Sequence, residues 1–167
     1  MKLRGKMNIL VHDVKNIEQY LKNNQDEITV ISDNGKIIPC ICCFGCWVKT
    51  PGKCVLNDDY NNMGELMSKC DRMIIISQCI YGGYSPFVKN VFDRCVSYLL
   101  PYLKTKNGET HHPKRYHNVI ALTVYFYGDI SDAEKETAKQ FVKSQLSMFE
   151  ETEVRFYKSF EEIKEVL

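Results

Sequence analysis

Arg72-Met73-Ile74-Ile75-Ile76-Ser77 runs directly into Gln78-Cys79-Ile80-Tyr81-Gly82-Gly83-Tyr84-Ser85 and then Pro86. The apolar centre of the first segment has no polar alternation. Such a run predicts a strand covered on both faces, as in the middle of a parallel sheet. Gln78 to Tyr84 predicts a glycine-containing loop. Ser85 reads as an N-cap with proline at the first helical position. That helix is expected to run to about Leu100, where Pro101 stops it.

Working outward toward the N-terminus, Met7–Val11 (MNILV) predicts a first strand. Val14–Asn23 predicts a short helix with Val14, Ile17 and Leu21 on one face. Glu27–Ser32 (EITVIS) predicts a second strand, closed by the turn residues Asp33-Asn34-Gly35. Residues 36 to 60 show no clear periodicity, and Asn61–Cys70 predicts a helix packing Met63, Leu66 and Met67. Toward the C-terminus, Lys104–His117 is polar and reads as an exposed loop. Asn118–Tyr127 predicts a fourth strand, broken by Gly128-Asp129. Ser131 is expected to cap a helix carrying Ala138, Phe141, Val142 and Leu146. Glu153–Tyr157 predicts a fifth strand and Ser159–Leu167 a last helix.

Strands alternating with helices predict an α/β fold with three layers, α-β-α, around a parallel sheet with right-handed crossovers. Five strands fit the doubly wound order 2-1-3-4-5, and residues 1–167 read as one domain. In such sheets ligands lie outside the carboxyl ends of the strands, where the order switches direction. The loops after strands one, three and four are therefore the candidate site. The strand-three loop offers two glycines that let a flat ligand approach the backbone, and two tyrosines, Tyr81 and Tyr84, with aromatic faces.

The formal net charge is +1, with Lys and Arg scattered, so no electrostatic case exists for a nucleic acid or an anionic membrane as partner. The longest apolar-aromatic run, Val119–Tyr127, is too short for a membrane helix. The basic start, Met1–Lys6, lacks the following pattern of a secretory signal. A cytoplasmic protein is the expectation.

Of eight cysteines, Cys40, Cys42, Cys43, Cys46 and Cys54 lie in one short stretch, and Cys70, Cys79 and Cys95 are dispersed. Clustering favours metal or redox chemistry over a disulfide framework. Cys40, Cys43, Cys46 and Cys54 have the spacing C-x2-C-x2-C-x7-C, which suits an iron–sulfur cluster, with zinc or plain packing thiols as alternatives. The dispersed three are expected as small buried hydrophobes. Asp58-Asp59 is expected to cap the following helix, with cation binding as the alternative, and Asp93-Arg94 to form a bracing salt bridge. His111 and His112, beside Glu109, read as residues of a polar loop, with a substrate-facing loop as the second reading. No Ser-His-Asp order or paired-carboxylate pattern assigns a catalytic side chain.

The run from Cys43 to Cys54 (CFGCWVKTPGKC), followed by Asp58-Asp59, resembles the NAD(P)H-dependent FMN reductases of the flavodoxin-like superfamily. The resemblance is strongest to its cysteine-rich branch, related to iron–sulfur flavoproteins. Tyr81-Gly82-Gly83-Tyr84-Ser85, Lys89, Phe92-Asp93-Arg94, Gly108–His112 and Arg115-Tyr116 extend it. The resemblance implies FMN held by Gln78, Cys79, Ile80, Tyr81, Gly82, Gly83, Tyr84 and Ser85, with Tyr127 and Gly128 flanking the ring. It implies NAD(P)H as co-substrate, a homo-oligomer, and chemistry supplied mainly by the flavin. It also implies a Ser/Thr/Gly-rich phosphate loop after strand one, where this chain has His12-Asp13-Val14-Lys15-Asn16. Three functions follow: an FMN-dependent NAD(P)H oxidoreductase, an iron–sulfur flavoprotein electron carrier, or a flavin-free binding protein on the same fold.

Overall fold

The computed structural model describes residues 7–17, 27–106 and 108–164. Its elements in chain order are β1 Met7–His12, β2 Glu27–Ile31, α1 Gly45–Val48, α2 Met63–Lys69, β3 Arg72–Gln78, α3 Pro86–Arg94, β4 Lys104–Lys106, β5 Glu109–His111, β6 Ala121–Tyr127, α4 Asp132–Lys143, β7 Glu151–Tyr157 and α5 Phe160–Ile163. The expected helix over Val14–Asn23 runs into residues 18–26, and the tail of the last helix into 165–167; both lie outside the described residues.

Five of the described strands form one sheet in the order β2-β1-β3-β6-β7, every neighbouring pair parallel. In sheet strands alone this is the expected order 2-1-3-4-5. Period-two alternation divides the core. Ile9, Val11, Met73, Ile75, Leu122, Val124 and Phe126 face one side, against Met63, Met67, Val88, Val91, Ala138 and Val142 of α2, α3 and α4. Leu10, Ile76 and Tyr125 face the other, against Ile17 and against Phe160 and Ile163 of α5. The middle strand β3 is apolar toward both layers because both layers are present. The sheet is thus the centre of an α-β-α sandwich.

Local chemistry sets several boundaries. Ser131 accepts from the Glu134 N–H, and the Glu134 carboxylate accepts from the Ser131 N–H, a complete capping box for α4. α3 stops at Arg94, short of the expected Leu100, and tightens into a 3-10 turn over Cys95–Tyr98. Two elements differ from expectation. Lys104–His117 is not simply a loop: β4 and β5 pair as an antiparallel hairpin. Residues 36 to 60 contain the short helix α1.

Among the described residues, no helix is long and apolar enough to cross a membrane.

Candidate functional site

The carboxyl ends of β1, β3 and β6 meet at Asp13, the residue after β1. Its Oδ2 accepts from the backbone N–H of Gln78 at 2.8 Å and lies 3.5 Å from the Ser77 hydroxyl, whose nearer acceptor is the Gln78 carbonyl at 2.9 Å. Its Oδ1 accepts from the Tyr127 hydroxyl at 2.9 Å. One carboxylate therefore ties the ends of three strands. Burial, followed by the adjacent Asp13 charge, pushes the Tyr127 phenol well above its usual range. Beside this tie lies a cavity of about 610 Å³, lined by Asp13, Val14, Lys15 and Asn16, by Tyr127 and Gly128, and by Lys158 to Glu161.

The strand-three loop folds into a tight hairpin turn. Ile80 and Gly83 exchange both backbone hydrogen bonds, at 3.0 and 2.8 Å. The two central residues, Tyr81 and Gly82, have φ of 50° and 78°. Positive φ at both is the signature of a type I′ turn. Glycine is required at 82: a Cβ there would lie 2.7 Å from the Thr137 Cβ and 2.9 Å from the Glu134 carbonyl oxygen, both on α4. Tyr81 projects from the turn with 88% of its surface exposed. The Cys79 N–H donates to the Tyr127 carbonyl at 2.9 Å, so the loops after β3 and β6 are joined.

The expected ring-contacting residues thus divide. Tyr81, Gly82 and Gly83 form the turn, with Cys79 and Ile80 at its base. Gln78 is joined through Asp13 to Tyr127, and Gly128 borders the cavity. Tyr84 instead lies in the core. Its ring packs on Phe92, Phe126 and Phe141, at centroid distances of 5.1 to 5.6 Å, and its hydroxyl donates to the Gln145 side chain at 3.0 Å. Those neighbours occupy the aromatic faces expected to receive a ligand. Ser85 is also buried; it holds the N-cap position, but its side chain makes no cap bond, and its N–H donates to the Ser77 hydroxyl.

The backbone at this end is open. A Cβ at Gly83 would meet nothing closer than 3.5 Å, and one at Gly128 nothing closer than 4.0 Å, so both backbones are open to close approach. At the cavity end, Lys15 and Lys158 are offset by Asp13 and Glu161.

The cysteine stretch builds a second feature. Cys40, Cys42, Cys43, Cys46 and Cys54 line a cavity of about 450 Å³ with Phe44, Trp47, Phe92, Leu99 and Met148. All eight cysteines are free thiols; Cys70 and Cys95 are buried as expected, while Cys79 is half-buried. The expectation that Cys40, Cys43, Cys46 and Cys54 close on one metal is not met: among the described residues, no three His, Cys, Asp or Glu side chains are placed to hold an ion. The backbone accounts for this. Cys42 and Phe44 take positive φ, and Cys46 turns into α1 and is buried while Cys43 stays exposed. The Cys46 thiol is pushed up by its burial and by its neighbours Cys54, Cys40 and Cys43.

Arg94, fully buried, anchors this loop to α3. It forms a two-pronged salt bridge with Asp58 at 2.8 and 3.0 Å and donates to the Ile38 carbonyl at 2.6 Å. Asp58 was expected to cap a helix and Arg94 to brace the domain beside Asp93. The α2 N-cap is Asn62, Arg94 braces through Asp58, and Asp93 pairs with Lys89 on the exposed side of α3. Burial raises the Asp58 pKa, but hydrogen bonds from the Ile38 N–H, Arg94 and the Tyr60 N–H outweigh it and hold the carboxyl below its usual range. A folded-state pKa below the unfolded one contributes stability above the unfolded value, about 3.8, that is lost as pH falls through the folded pKa. Urea unfolding between pH 6 and pH 2 is expected to show a steeper acid-side loss in wild type than in Asp58→Asn. Parallel curves would count against the pair as the source.

His111 pairs with Glu109 at 3.0 Å within the hairpin, and His112 packs on Trp47 at a centroid distance of 4.8 Å. The sequence did not single out Asp13 for its strand-tying role, because its partners lie 65 and 114 residues away.

The profile of the NADPH-dependent FMN reductase family matches residues 14–142. An iron-sulfur flavoprotein of Methanosarcina thermophila is 32% identical over 68 residues, which is 41% of this chain and 35% of that protein. The matched segment thus spans about a third of that relative's length. Solved structures share the fold at low identity. An NAD(P)H:quinone oxidoreductase from Methanothermobacter marburgensis superposes with a TM-score of 0.60 at 11% identity, covering 92% of this chain and 84% of that one. An FMN-dependent NADH-azoreductase from Bacillus anthracis, solved in complex with FMN, gives 0.56 at 9%, covering 96% and 97%. With the sheet order, the crevice loops and a family match over more than half its length, the chain belongs to the NADPH-dependent FMN reductase family.

Proposed function

We propose that this protein is an FMN-dependent NAD(P)H oxidoreductase that passes electrons from a nicotinamide to a separate acceptor. The observation that carries this reading is the family match over residues 14–142, which begins directly after Asp13 and takes in the crevice loops at Tyr81–Gly83 and at Tyr127-Gly128. Tyr81, Gly82, Gly83 and Gly128 would hold the ring, and Gln78, Tyr127 and Asp13 would border the chain attached to it. When bound, the flavin supplies hydride acceptance and electron delivery. The protein's part is orientation. The turn carries Tyr81 as an aromatic face, the open glycine backbones admit a flat system, and the tie at Asp13 keeps three strand ends in register.

Flavin titration and NAD(P)H oxidation assays test the reading directly; a folded protein that binds no flavin would sink it. Tyr81→Ala is expected to weaken flavin binding about two- to tenfold, the worth of one aromatic contact, with little change in unfolding free energy. Unchanged affinity would remove Tyr81 from the site.

A second reading, an electron carrier with an iron–sulfur cluster, is favoured by five thiols bordering one cavity. Iron and sulfide assays on anaerobically purified protein decide it. A homo-oligomer would cover some of the exposed apolar side chains at Ile41, Phe44, Val48, Tyr102 and Leu103. A cytoplasmic, reducing setting agrees with eight free thiols.

A further inference from the structure

The crevice where β1 and β3 diverge is where open α/β sheets bind their ligands. In this chain a side chain of its own already occupies the donors there. The Asp13 carboxylate takes the Gln78 backbone N–H and the Tyr127 hydroxyl, and it lies 3.5 Å from the Ser77 hydroxyl. An incoming phosphate would seek those same donors and would meet a like charge on arrival. The neighbouring cavity does not compensate, because Lys15 and Lys158 are matched by Asp13 and Glu161. A neutral hydroxyl chain meets the opposite situation. Each hydroxyl can donate to a carboxylate oxygen and accept from a lysine, and no charge is buried without a partner.

We propose that Asp13 sets the terminal-group specificity of the flavin site, so that the crevice takes a flavin ending in an uncharged polyol at least as readily as one ending in a phosphate monoester. The inference rests on the flavin reading given above and adds which end-group the site accepts. It makes Asp13 a specificity residue acting on the ligand's tail, remote from the ring.

Dissociation constants for riboflavin and for FMN, measured by flavin fluorescence titration of wild type and Asp13→Asn, test it. Asparagine keeps the shape and one acceptor oxygen, and the Tyr127 hydroxyl can rotate to accept from the new amide, so the strand tie survives; circular dichroism and urea curves check this. Asp13→Ser, which leaves the donors exposed, serves as the second variant. Wild type is expected to bind riboflavin as tightly as FMN or tighter. Both variants are expected to tighten FMN about ten- to a hundredfold, the span of one charge-assisted contact, with riboflavin changing less than about threefold. Wild type binding FMN about tenfold tighter than riboflavin, or a ratio unmoved in both variants, overturns the proposal while leaving the flavin reading intact. Folded protein that binds neither flavin in any variant overturns both.

Discussion

An Arg94→Ala protein is expected to unfold with a free energy about 3–5 kcal/mol below wild type, the range for a buried charge pair broken on one side. The guanidinium has no exposed surface and the Asp58 side chain 3%, so neither charge can turn to water when its partner is removed. Truncation also leaves the Ile38 carbonyl without its donor at 2.6 Å. Asp58 would keep the N–H groups of Ile38 and Tyr60, at 2.9 and 3.0 Å, which limits the loss but leaves the negative charge buried. Urea unfolding should show a lower midpoint with an unchanged slope. The single tryptophan, Trp47, reports on the same loop: it donates to the Val96 carbonyl at 3.3 Å and stacks on Phe44. Its emission should shift to the red before global unfolding. A double-mutant cycle with Asp58→Ala should recover part of the loss, because the second change removes the stranded charge. A change below about 1 kcal/mol, the worth of an exposed ion pair, would contradict the burial on which this rests.

Gly64→Ala is expected to cost about 3 kcal/mol, at the upper end of overpacking penalties, although alanine favours the helix in which it sits. A Cβ at this position of α2 would lie 2.5 Å from the Gly52 carbonyl oxygen, 2.6 Å from the Ser97 hydroxyl and 3.0 Å from the Ser97 carbonyl carbon. Two of these atoms are backbone, and Ser97 is fully buried with its hydroxyl donating to the Arg94 carbonyl at 3.0 Å. None of them is the free end of a flexible side chain. Relief would require α2 to lift from the loop that carries Gly52 and from the turn after α3. The measurement is the urea midpoint, set against Gly35→Ala, where a Cβ meets nothing within 4 Å. Gly35 has φ +72°, so that control carries backbone strain without crowding. A Gly64→Ala protein no less stable than the Gly35→Ala control would show that the contact is not rigid.

The sheet was legible because burial on both faces leaves a plain signature. Met73 to Ile76 is a run that a half-exposed strand would not tolerate, and Ser131 marks the start of α4 as its N-cap. The hairpin of β4 and β5 left no such mark, since Lys104, Thr105, Glu109 and Thr110 are exposed and the pairing is carried by the backbone. Asp58 stood near a helix start in sequence, and a cap was the local expectation; its partner Arg94 lies 36 residues away, beyond any local pattern. Tyr84 illustrates a similar limit. Its type announced an aromatic face, but the two-residue turn at Tyr81-Gly82 ends before it, and the chain re-enters the core with Tyr84 as its first aromatic. Cysteine spacing announced a metal, and spacing alone does not fix the direction in which thiols point.

The same turn has a thermodynamic consequence. Both cross-turn bonds are closed and Gly82 is wedged against α4, so the backbone beneath Tyr81 has little conformational freedom left to lose. A ligand settling on that ring would meet an ordered platform, and the entropy of arranging the loop would already have been spent during folding. Affinity at this end of the crevice should therefore be governed by the fit of the two aromatic surfaces and the water they release, with a negative heat-capacity change as its calorimetric mark.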